Sequence, residues 1–311
     1  MSLGVLNNLS AVYATNNLNN TSNSLSKVLQ QLSSGSKINS GADDAAGLSL
    51  VDGLEANSTA LTQSTTNASE GVGLLQVADG ALSQVTSLLN RAVTLATEAS
   101  NGTLTTAQTD AANQEYQSIL SEISNIGSTT TYNGNAVFGN TVDIYTGDST
   151  MTGASVDALT ISKLDATSTT GSTVGDTAGT MAYTAGTTTT AAKISYTAST
   201  GEALGGTSLT GTTTALATAA AQSALTDLNK AITDVAAQDG YIGAQINTLN
   251  SVSSVLATQQ ENVESAQNAV QATDYASATS AMSKYEILSQ TGIAALAQAN
   301  SQQQAVLKLL Q

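Results

Sequence analysis

The sequence predicts a mainly α-helical fold: a bundle of long helices with terminal coiled-coil helices, short β-hairpins and a small variable insert of strand and loop. Apolar residues recur every three or four positions over long stretches near both ends of the chain. Proline is absent from all 311 residues, which favours unbroken helices because an interior proline costs about 3 kcal/mol. Between the helical halves the composition shifts to Thr, Gly, Ala and Ser.

The first predicted element is a helix in residues 1–42, the N-terminal helix of an inner domain. Its apolar stripe is Leu18, Leu25, Val28, Leu29 and Leu32, with Leu3, Leu6, Leu9 and Val12 continuing toward the start. The segment contains no acidic residue, and its two basic residues are Lys27 and Lys37. A narrow apolar stripe with so little charge predicts burial against another helix.

Residues 43–165 are predicted to form the N-terminal part of a bundle domain with β-hairpins. Asp43 and Asp44 precede Ala45 and are interpreted as an N-terminal cap and helix-dipole partners rather than a metal or acid/base site. A long helix follows over 54–100, with core positions at Leu54, Leu61, Val72, Leu75, Leu82 and Leu89. We expect this helix to pack against its C-terminal counterpart.

A third helix is predicted from Thr106 to Ile126, after the breaker at 100–103. Beyond it, Asn133-Gly134 supplies hairpin-turn chemistry, and alternating apolar residues predict strands at Val142, Ile144, Leu159 and Ile161. Residues 166–214 are predicted to be a variable surface insert whose content can change without harm to the helices.

The C-terminal part mirrors the N-terminal part. Residues 215–270 are predicted to form a bundle helix with core positions Ile232, Val235, Ile242, Ile246, Leu249 and Leu256. Residues 271–311 are predicted to form the C-terminal helix of the inner domain, with the stripe Tyr285, Leu288, Ala295, Ala299, Val306, Leu309 and Leu310. Because little else in the chain can cover the two terminal stripes, we expect them to be buried between subunits as a polymerisation core.

Composition excludes several classes of function. Histidine and cysteine are absent, so a Ser-His-Asp site, a Cys-His site, the usual zinc and copper ligands and disulfides are all excluded. A net charge of −15 argues against nucleic acid. Nowhere do 18 consecutive apolar residues occur, so no membrane span is predicted, and the N-terminus lacks the features of a cleaved secretory signal.

Local motifs add no chemistry. Asp143, Asp148 and Asp157 have no EF-hand spacing and give only a weak signal for a cation, and Gly71 and Gly73 lack the rest of a dinucleotide fingerprint. Asn57-Ser58-Thr59 matches the glycosylation pattern by chance in a helix. We therefore predict no enzyme activity, no catalytic residue, no cofactor and no metal.

Two segments carry a resemblance to a known family. Residues 31–47, Gln-Leu-Ser-Ser-Gly-Ser-Lys-Ile-Asn-Ser-Gly-Ala-Asp-Asp-Ala-Ala-Gly, closely resemble the N-terminal signature of bacterial flagellins. Asp274-Tyr275-Ala276 through Leu296-Ala297-Gln298-Ala299-Asn300 resembles their C-terminal signature. The likeness covers about residues 2–145 and 217–311.

This resemblance implies a structural subunit that polymerises into the flagellar filament, the helical propeller of swimming motility. The terminal helices would line the central channel and the insert would project outward. It also implies export of the unfolded chain through the flagellar secretion apparatus, a chaperone on the C-terminal helix, and cap and junction proteins as partners. The location implied is extracellular. We expect the terminal segments to order only on joining the polymer.

One departure concerns innate immunity. Family members recognised by the flagellin-sensing Toll-like receptor typically carry Arg-x-Arg-Glu-Leu, whereas this chain has Arg91-Ala92-Val93-Thr94-Leu95. Arg91 and Leu95 match, but Val93 and Thr94 remove two charged groups, so weak receptor activation is predicted. The family's usual proline near the C-terminus is also missing here.

Three other classes of protein share part of this pattern with a filament subunit. A hook-filament junction protein shares the terminal helices, and a surface adhesin would place its function in residues 166–214. A zinc-protease insert is excluded because the chain has no His-Glu-x-x-His motif.

Overall fold

A computed structural model describes residues 8–147, 156–166, 180–184, 193–197, 204, 207–211 and 214–309. Its helices are α1 (Leu9–Ser34), α2 (Ala45–Ala99), α3 (Thr106–Thr129), α4 (Thr214–Gln271) and α5 (Tyr275–Leu309). Its strands are β1 (Thr131–Tyr132), β2 (Asn135–Ala136), β3 (Thr141–Tyr145), β4 (Val156–Thr160), β5 (Thr180–Thr184) and β6 (Lys193–Thr197). The predicted mainly α-helical fold with small hairpins is confirmed.

The chain divides into two compact units. Unit 1 comprises Met1–Ala56 and Glu261–Gln311, and unit 2 comprises Asn57–Gln260. The domain boundaries predicted at 42/43 and 270/271 therefore fall inside unit 1, because the first turns of α2 and the last turns of α4 cluster with the terminal helices. Leu54, predicted for the bundle core, also belongs to unit 1.

The ends of α1 are set by local hydrogen bonds. The Asn8 side-chain oxygen accepts from the Ala11 N–H at 3.0 Å, which caps the N-terminus. At the other end Gly35 has φ of 71°, and its N–H donates to the Gln31 carbonyl at 3.0 Å. This left-handed residue ends the helix in the way glycine allows.

Of the two aspartates before α2, Asp44 caps that helix as predicted, and Asp43 does not. The Asp44 carboxylate accepts from the Gly47 N–H at 2.9 Å. The Asp43 carboxylate instead accepts from the backbone N–H groups of Asn39 and Ser40 at 3.2 and 3.1 Å. The two neighbouring carboxylates therefore hold the helix start and the loop that leads into it.

The core of unit 2 lies among α2, α3 and α4. Gln260 donates to the Thr62 hydroxyl at 3.0 Å, and a side chain at Gly71 would lie 3.2 Å from the Leu249 Cδ1. Because earlier residues of α2 meet later residues of α4, these two helices run antiparallel. Leu75, Leu82 and Leu89 of α2 lie in the core they form, together with Tyr116, Leu120 and Ile123 of α3 and Leu228, Val235 and Ile242 of α4.

The hairpins confirm the predicted turn chemistry. Asn133 and Gly134 have φ of 49° and 80°, the left-handed values that a two-residue type I′ turn requires between β1 and β2. In the second hairpin, Val142 pairs with Leu159 in an antiparallel register. A third hairpin, β5–β6, pairs Met181 with Tyr196 inside the predicted insert.

The end of the predicted insert is attached to the bundle. Leu204 and Leu209 are fully buried, and the Asn113 side-chain oxygen on α3 accepts from the Leu209 N–H at 3.0 Å. The Tyr116 and Thr207 hydroxyls are hydrogen-bonded at 2.6 Å. Residues 207–209 therefore pack on α3, and the expectation that the whole of 166–214 is a surface segment of freely variable content is wrong for them and for the buried Leu204. Composition alone did not reveal these few leucine and amide anchors.

Candidate assembly surface

The two signature segments meet in unit 1. The Lys37 N–H donates to the Gln271 carbonyl at 2.7 Å, and the Thr273 N–H donates to the Gly35 carbonyl at 3.1 Å. We call this connection between residues 31–37 and 271–273 the clasp. It joins the C-terminal end of α1 to the segment that leads into α5, although about 240 residues of sequence separate them.

Beyond the clasp, α1 and α5 form an antiparallel pair. The Asn8 side chain donates to the Ala299 carbonyl at 3.1 Å, while Gly35 lies beside Tyr275. Midway, a Cβ at Gly292 would lie 3.3 Å from the Leu18 Cδ1, so glycine lets the two helices approach closely there. Val28 and Ala278 are buried on the inner sides of the pair.

Large apolar side chains are exposed on the outer sides of this pair, among polar residues. Ile287, Leu288 and Ile293 of α5 are all exposed, and at about 100° per residue they point in three different directions around the helix. Among the described residues of unit 1, the exposed large apolar side chains are Leu9, Val12, Tyr13, Leu29, Leu50, Tyr275, Ile287, Leu288 and Ile293. Exposed apolar side chains grouped in this way are typical of a surface that contacts other molecules.

The residues predicted for the polymerisation core divide between the inner and outer sides. Val28 is buried, and Leu18, Leu25, Leu32, Tyr285 and Ala299 are half-buried between the helices, whereas Leu29, Leu288 and Ala295 are exposed. Val306 and Leu309 lie in the last turns of α5, and their side chains, like all of Leu310, fall outside the described residues. The structure thus brings both stripes together, and a role of these residues in contacts between subunits stays a prediction.

The predicted bundle positions lie in or against the core of unit 2, apart from Leu54. Those buried are Leu61, Leu75, Leu82, Leu89, Val235, Ile242, Leu249 and Leu256. Val72, Ile232 and Ile246 are half-buried and pack against the core cluster, and Leu54 is half-buried in unit 1. The three- and four-residue spacing identified this face because core positions recur once per helical turn.

The loop between α1 and α2 carries an ion pair that sequence reasoning missed. The Lys27 ammonium lies 2.8 Å from the Asp43 carboxylate. The bond from Lys27, together with the backbone donor of Asn39, holds the pKa of Asp43 below its usual value of 3.8.

Asp274 is a helix cap that sequence reasoning also missed. Its carboxylate accepts from the Ala276 N–H at 3.0 Å at the start of α5. A capping aspartate before a helix start is a signal that could have found it.

The receptor-like segment lies in unit 2. The Arg91 side chain is half exposed and lies 2.7 Å from a carboxylate oxygen of Glu115 on α3. Leu95 is only 3% exposed and belongs to the core cluster. Arg91 is therefore reachable from solvent, whereas Leu95 is packed inside the subunit.

No reactive centre is visible among the described residues. They contain no group of three acidic residues placed to hold a metal ion. Asp148 lies outside the described residues. In the β3–β4 hairpin, Asp157 pairs with Ile144, the residue that follows Asp143 in β3. Successive strand residues face opposite sides, so Asp143 and Asp157 point away from each other, and burial raises the pKa of Asp157. The weak cation signal therefore finds no shared site.

Unit 2 also contains a cleft and a long apolar helix. A cleft of about 570 Å³ lies between α2 and the hairpins, lined by residues that include Glu70, Leu74, Tyr132 and Tyr145. By length and composition, α2 contains a window apolar enough to cross a membrane. A core helix passes the same test, and α2 buries Leu75, Leu82 and Leu89.

A helical bundle with its own core, in a chain whose paired terminal helices expose large apolar side chains, is typical of a self-assembling subunit. The description "Bacterial flagellin N-terminal helical region" matches residues 5–143, and "Bacterial flagellin C-terminal helical region" matches residues 225–310. The chain belongs to the bacterial flagellin family and is a structural subunit of the flagellar filament, on the outside of the cell. These matches do not favour the junction-protein or adhesin alternatives.

Curated relatives match along almost the whole chain. A flagellin of Halalkalibacterium halodurans is 30% identical over 97% of this chain and 98% of its own length. A flagellin of Clostridium tyrobutyricum is 30% identical over 96% and 99% of the two chains. A flagellin of Listeria monocytogenes is 30% identical over 92% of each.

Proposed function

We propose that the outer sides of the α1–α5 pair in unit 1 form the contacts between copies in the filament. The observation that supports this most directly is the exposure of Ile287, Leu288 and Ile293 in three directions around one helix. Burial of each such side chain on assembly contributes roughly 1.5–3 kcal/mol. A handful of them supplies enough free energy to hold a subunit in a polymer.

The charge pattern supports the same proposal. Within its helical span α1 carries one charged side chain, Lys27, and α5 carries Lys284, Glu286 and Lys308. Helices with so few charges can be packed against copies of themselves with little like-charge repulsion. The acidic residues that give the chain its net charge of −15 lie mostly in unit 2.

The test compares two equally exposed side chains. Ile293 on α5 and Val255 on the unit 2 part of α4 are both 56% exposed. Ile293→Glu should abolish reassembly of depolymerised subunits into filaments, measured by sedimentation and electron microscopy, because a charge would be buried without a partner. Val255→Glu should leave reassembly intact.

Thermal unfolding of unit 2 serves as the control for folding. Both variants should keep the wild-type transition, since both sites are exposed in the free subunit. Normal filaments from the Ile293→Glu variant would contradict the proposed surface.

The proposal includes folding of the chain ends on assembly. Among the described residues of unit 1, the buried apolar side chains are Val28, Ile38, Val51 and Ala278. Four buried side chains form a small core for two long helices. Backbone amides of α1 and α5 should therefore exchange rapidly in a dilute monomer and become protected in filaments. Strong protection of both helices in a strictly monomeric sample would contradict coupled folding and polymerisation.

We also propose that α5 is the segment bound by an export chaperone, and that the chain is exported unfolded and added beneath a cap, next to junction proteins at the filament base. Support comes from the exposed apolar side chains of α5, which need cover before assembly. Leu288→Glu should weaken chaperone binding in a pull-down with the full-length monomer, whereas Val255→Glu should not. Equal binding by both variants would contradict this assignment.

The middle of the insert is proposed to be a surface projection without a role in assembly. Because residues 207–209 pack on α3 and Leu204 is buried, the deletion should span residues 168–202 rather than 166–214. Bacteria carrying this deletion should swim normally. Lost swimming with normal subunit folding would contradict the proposal, and lost attachment to surfaces would favour the adhesin alternative.

Weak activation of the flagellin-sensing Toll-like receptor is proposed for the segment at 91–95. Val93 and Thr94 stand where the family pattern has charged residues, and the burial of Leu95 leaves Arg91 as the matching residue that solvent reaches. A reporter-cell assay should give a response well below that of a flagellin with the full pattern. A full-strength response would contradict this.

A further inference from the structure

Two acidic side chains face each other across the contact between α2 and α4. Along the two antiparallel helices, Thr62 meets Gln260 and Gly71 meets Leu249. The next such level brings Asp79 opposite Asp239, two exposed residues whose side chains are close enough for one carboxyl group to hydrogen-bond the other. Both residues belong to unit 2.

A hydrogen bond between two carboxyl groups requires a proton. An ionised carboxylate only accepts hydrogen bonds, so two ionised aspartates have no donor between them. With one proton, the protonated carboxyl donates and the other accepts. With none, two negative charges stand at hydrogen-bonding distance and repel.

Among the described residues of the neighbouring helices, no positively charged side chain lies at this level. Asp79 is the only charged residue of α2 between 72 and 86, and α4 between 232 and 246 contributes Asp234, Asp239 and the titratable Tyr241. On α3, residues 118–129 contribute Glu122. In the hairpin region Lys163 is paired with Asp165 at 3.1 Å, and on α4 Lys230 lies 3.7 Å from Asp227.

We propose that Asp79 and Asp239 are a proton-sharing pair that makes the α2–α4 contact pH-sensitive, tight in mildly acidic solution and weakened when both carboxyls are ionised. This property belongs to unit 2 and is independent of the polymerisation surface.

The direction of the effect follows from linkage. The pKa of Asp239 is raised from an ordinary value of 3.8 to about 6. The largest cause is desolvation, followed by the hydrogen bond to Asp79 and by the negative charge of Asp79. The folded subunit therefore holds a proton between pH 4 and 6 that the unfolded chain has lost. Stability falls as the pH rises through that window and reaches its lower plateau above pH 7.

Asn at either position reproduces the protonated pair permanently, because its amide donates to the remaining carboxylate at every pH. Thermal unfolding of the full-length monomeric subunit at pH 4 and pH 7.5 provides the test. The wild type should have the lower Tm at pH 7.5. Asp239→Asn and Asp79→Asn should each raise the Tm at pH 7.5, change it much less at pH 4, where the unfolded chain still holds part of the proton, and so remove most of the difference.

Two controls separate this pair from other carboxyls. Glu122→Gln removes one exposed negative charge from α3 and should keep the wild-type pH dependence. Asp157→Asn accounts for the other carboxyl whose pKa is raised by burial. Carboxyl NMR shifts should also show a step near pH 6 that disappears in both Asp→Asn pair variants. Absence of that step, or an unchanged Tm difference in both variants, would overturn the proposal.

Discussion

The two units use the same kinds of apolar side chain in opposite ways. In unit 2, Leu75, Leu82 and Leu89 are less than 2% exposed, and they are covered by α3 and α4. In unit 1, Ile287 and Ile293 are more than half exposed. A helix rich in Ala, Leu and Ile is therefore not by itself a core helix, because the chain must also supply its cover. Unit 2 supplies its own cover, whereas for unit 1 we propose that other copies supply it.

The largest expected effect comes from moving the same substitution between the two units. Leu89→Ala removes a fully buried side chain and should destabilise the monomer by about 2–5 kcal/mol, because it leaves a cavity. Leu288→Ala, on an exposed site, should change monomer stability by less than about 0.5 kcal/mol. Chemical denaturation of the monomer measures both.

The effect of Leu288→Ala should instead appear in the assembly of filaments. Leu288→Ala should raise the subunit concentration needed for reassembly, since the lost contact lies between copies. A large loss of monomer stability in Leu288→Ala, with normal reassembly, would mean that α5 is covered within the subunit and would remove the contrast between the units.

The next largest effect is expected from a substitution in the clasp. Gly35 has φ of 71°, and a Cβ there would lie 2.9 Å from the Tyr275 hydroxyl. Gly35→Ala should cost about 1–2 kcal/mol, or roughly a 5- to 30-fold weaker assembly equilibrium, measured as the critical concentration for reassembly. Gly53→Ala is the matched control in unit 1, because that site lies in α2 with open space around it and should be neutral or slightly stabilising.

A smaller effect is expected where the insert joins unit 2. Tyr116→Phe removes the hydroxyl bonded to Thr207 at 2.6 Å and should destabilise the monomer by about 1 kcal/mol while filaments still form. Thr207→Ser keeps a hydroxyl at the same position and serves as the control. An unchanged unfolding midpoint in Tyr116→Phe would show that residues 204–211 contribute nothing through this bond.

The smallest effect concerns the exposed ion pair of unit 1. Lys27→Met should raise the pKa of Asp43 toward its ordinary value of 3.8, because the main group that lowers it is gone. Since a lowered pKa adds stability above that value and loses it as the pH falls, the variant should lose less stability on acidification than the wild type. Carboxyl NMR titration measures the shift. A persistently low pKa would assign the effect to the Asn39 N–H and the Ser40 hydroxyl instead.

Much of the helical part could be predicted because the period of the apolar residues is a local property. The spacing of Leu75, Leu82 and Leu89 identified a core face that the structure buries, and Asn133-Gly134 identified a turn. Predicted helix limits were less accurate. The apolar repeat of the first bundle helix was traced only from residue 54, although the aspartate pair correctly indicated a helix start at Ala45. The C-terminal helix begins at Tyr275 rather than at residue 271, because helix ends are the least certain part of such a prediction.

The clasp and the carboxyl pair could not be read from the sequence. Both depend on which residues meet across long separations, as in the bond from Thr273 to Gly35 and the approach of Asp79 to Asp239. In α4, Asp239 stands between the core positions Val235 and Ile242 at helical spacing, so in the sequence it looks like one of several polar interruptions of the apolar repeat. Only the register of α4 against α2 places a second aspartate beside it.

The sequence by itself determined that the chain forms long, unbroken helices, that it lacks the histidine and cysteine of common reactive sites, and that its ends carry sparsely charged apolar stripes. Those properties follow from residue type and local spacing. The tertiary structure decided which faces are covered, where the compact units divide and which distant groups form hydrogen bonds. Burial and pairing are set by packing between segments far apart in the chain, and local propensity carries no information about them.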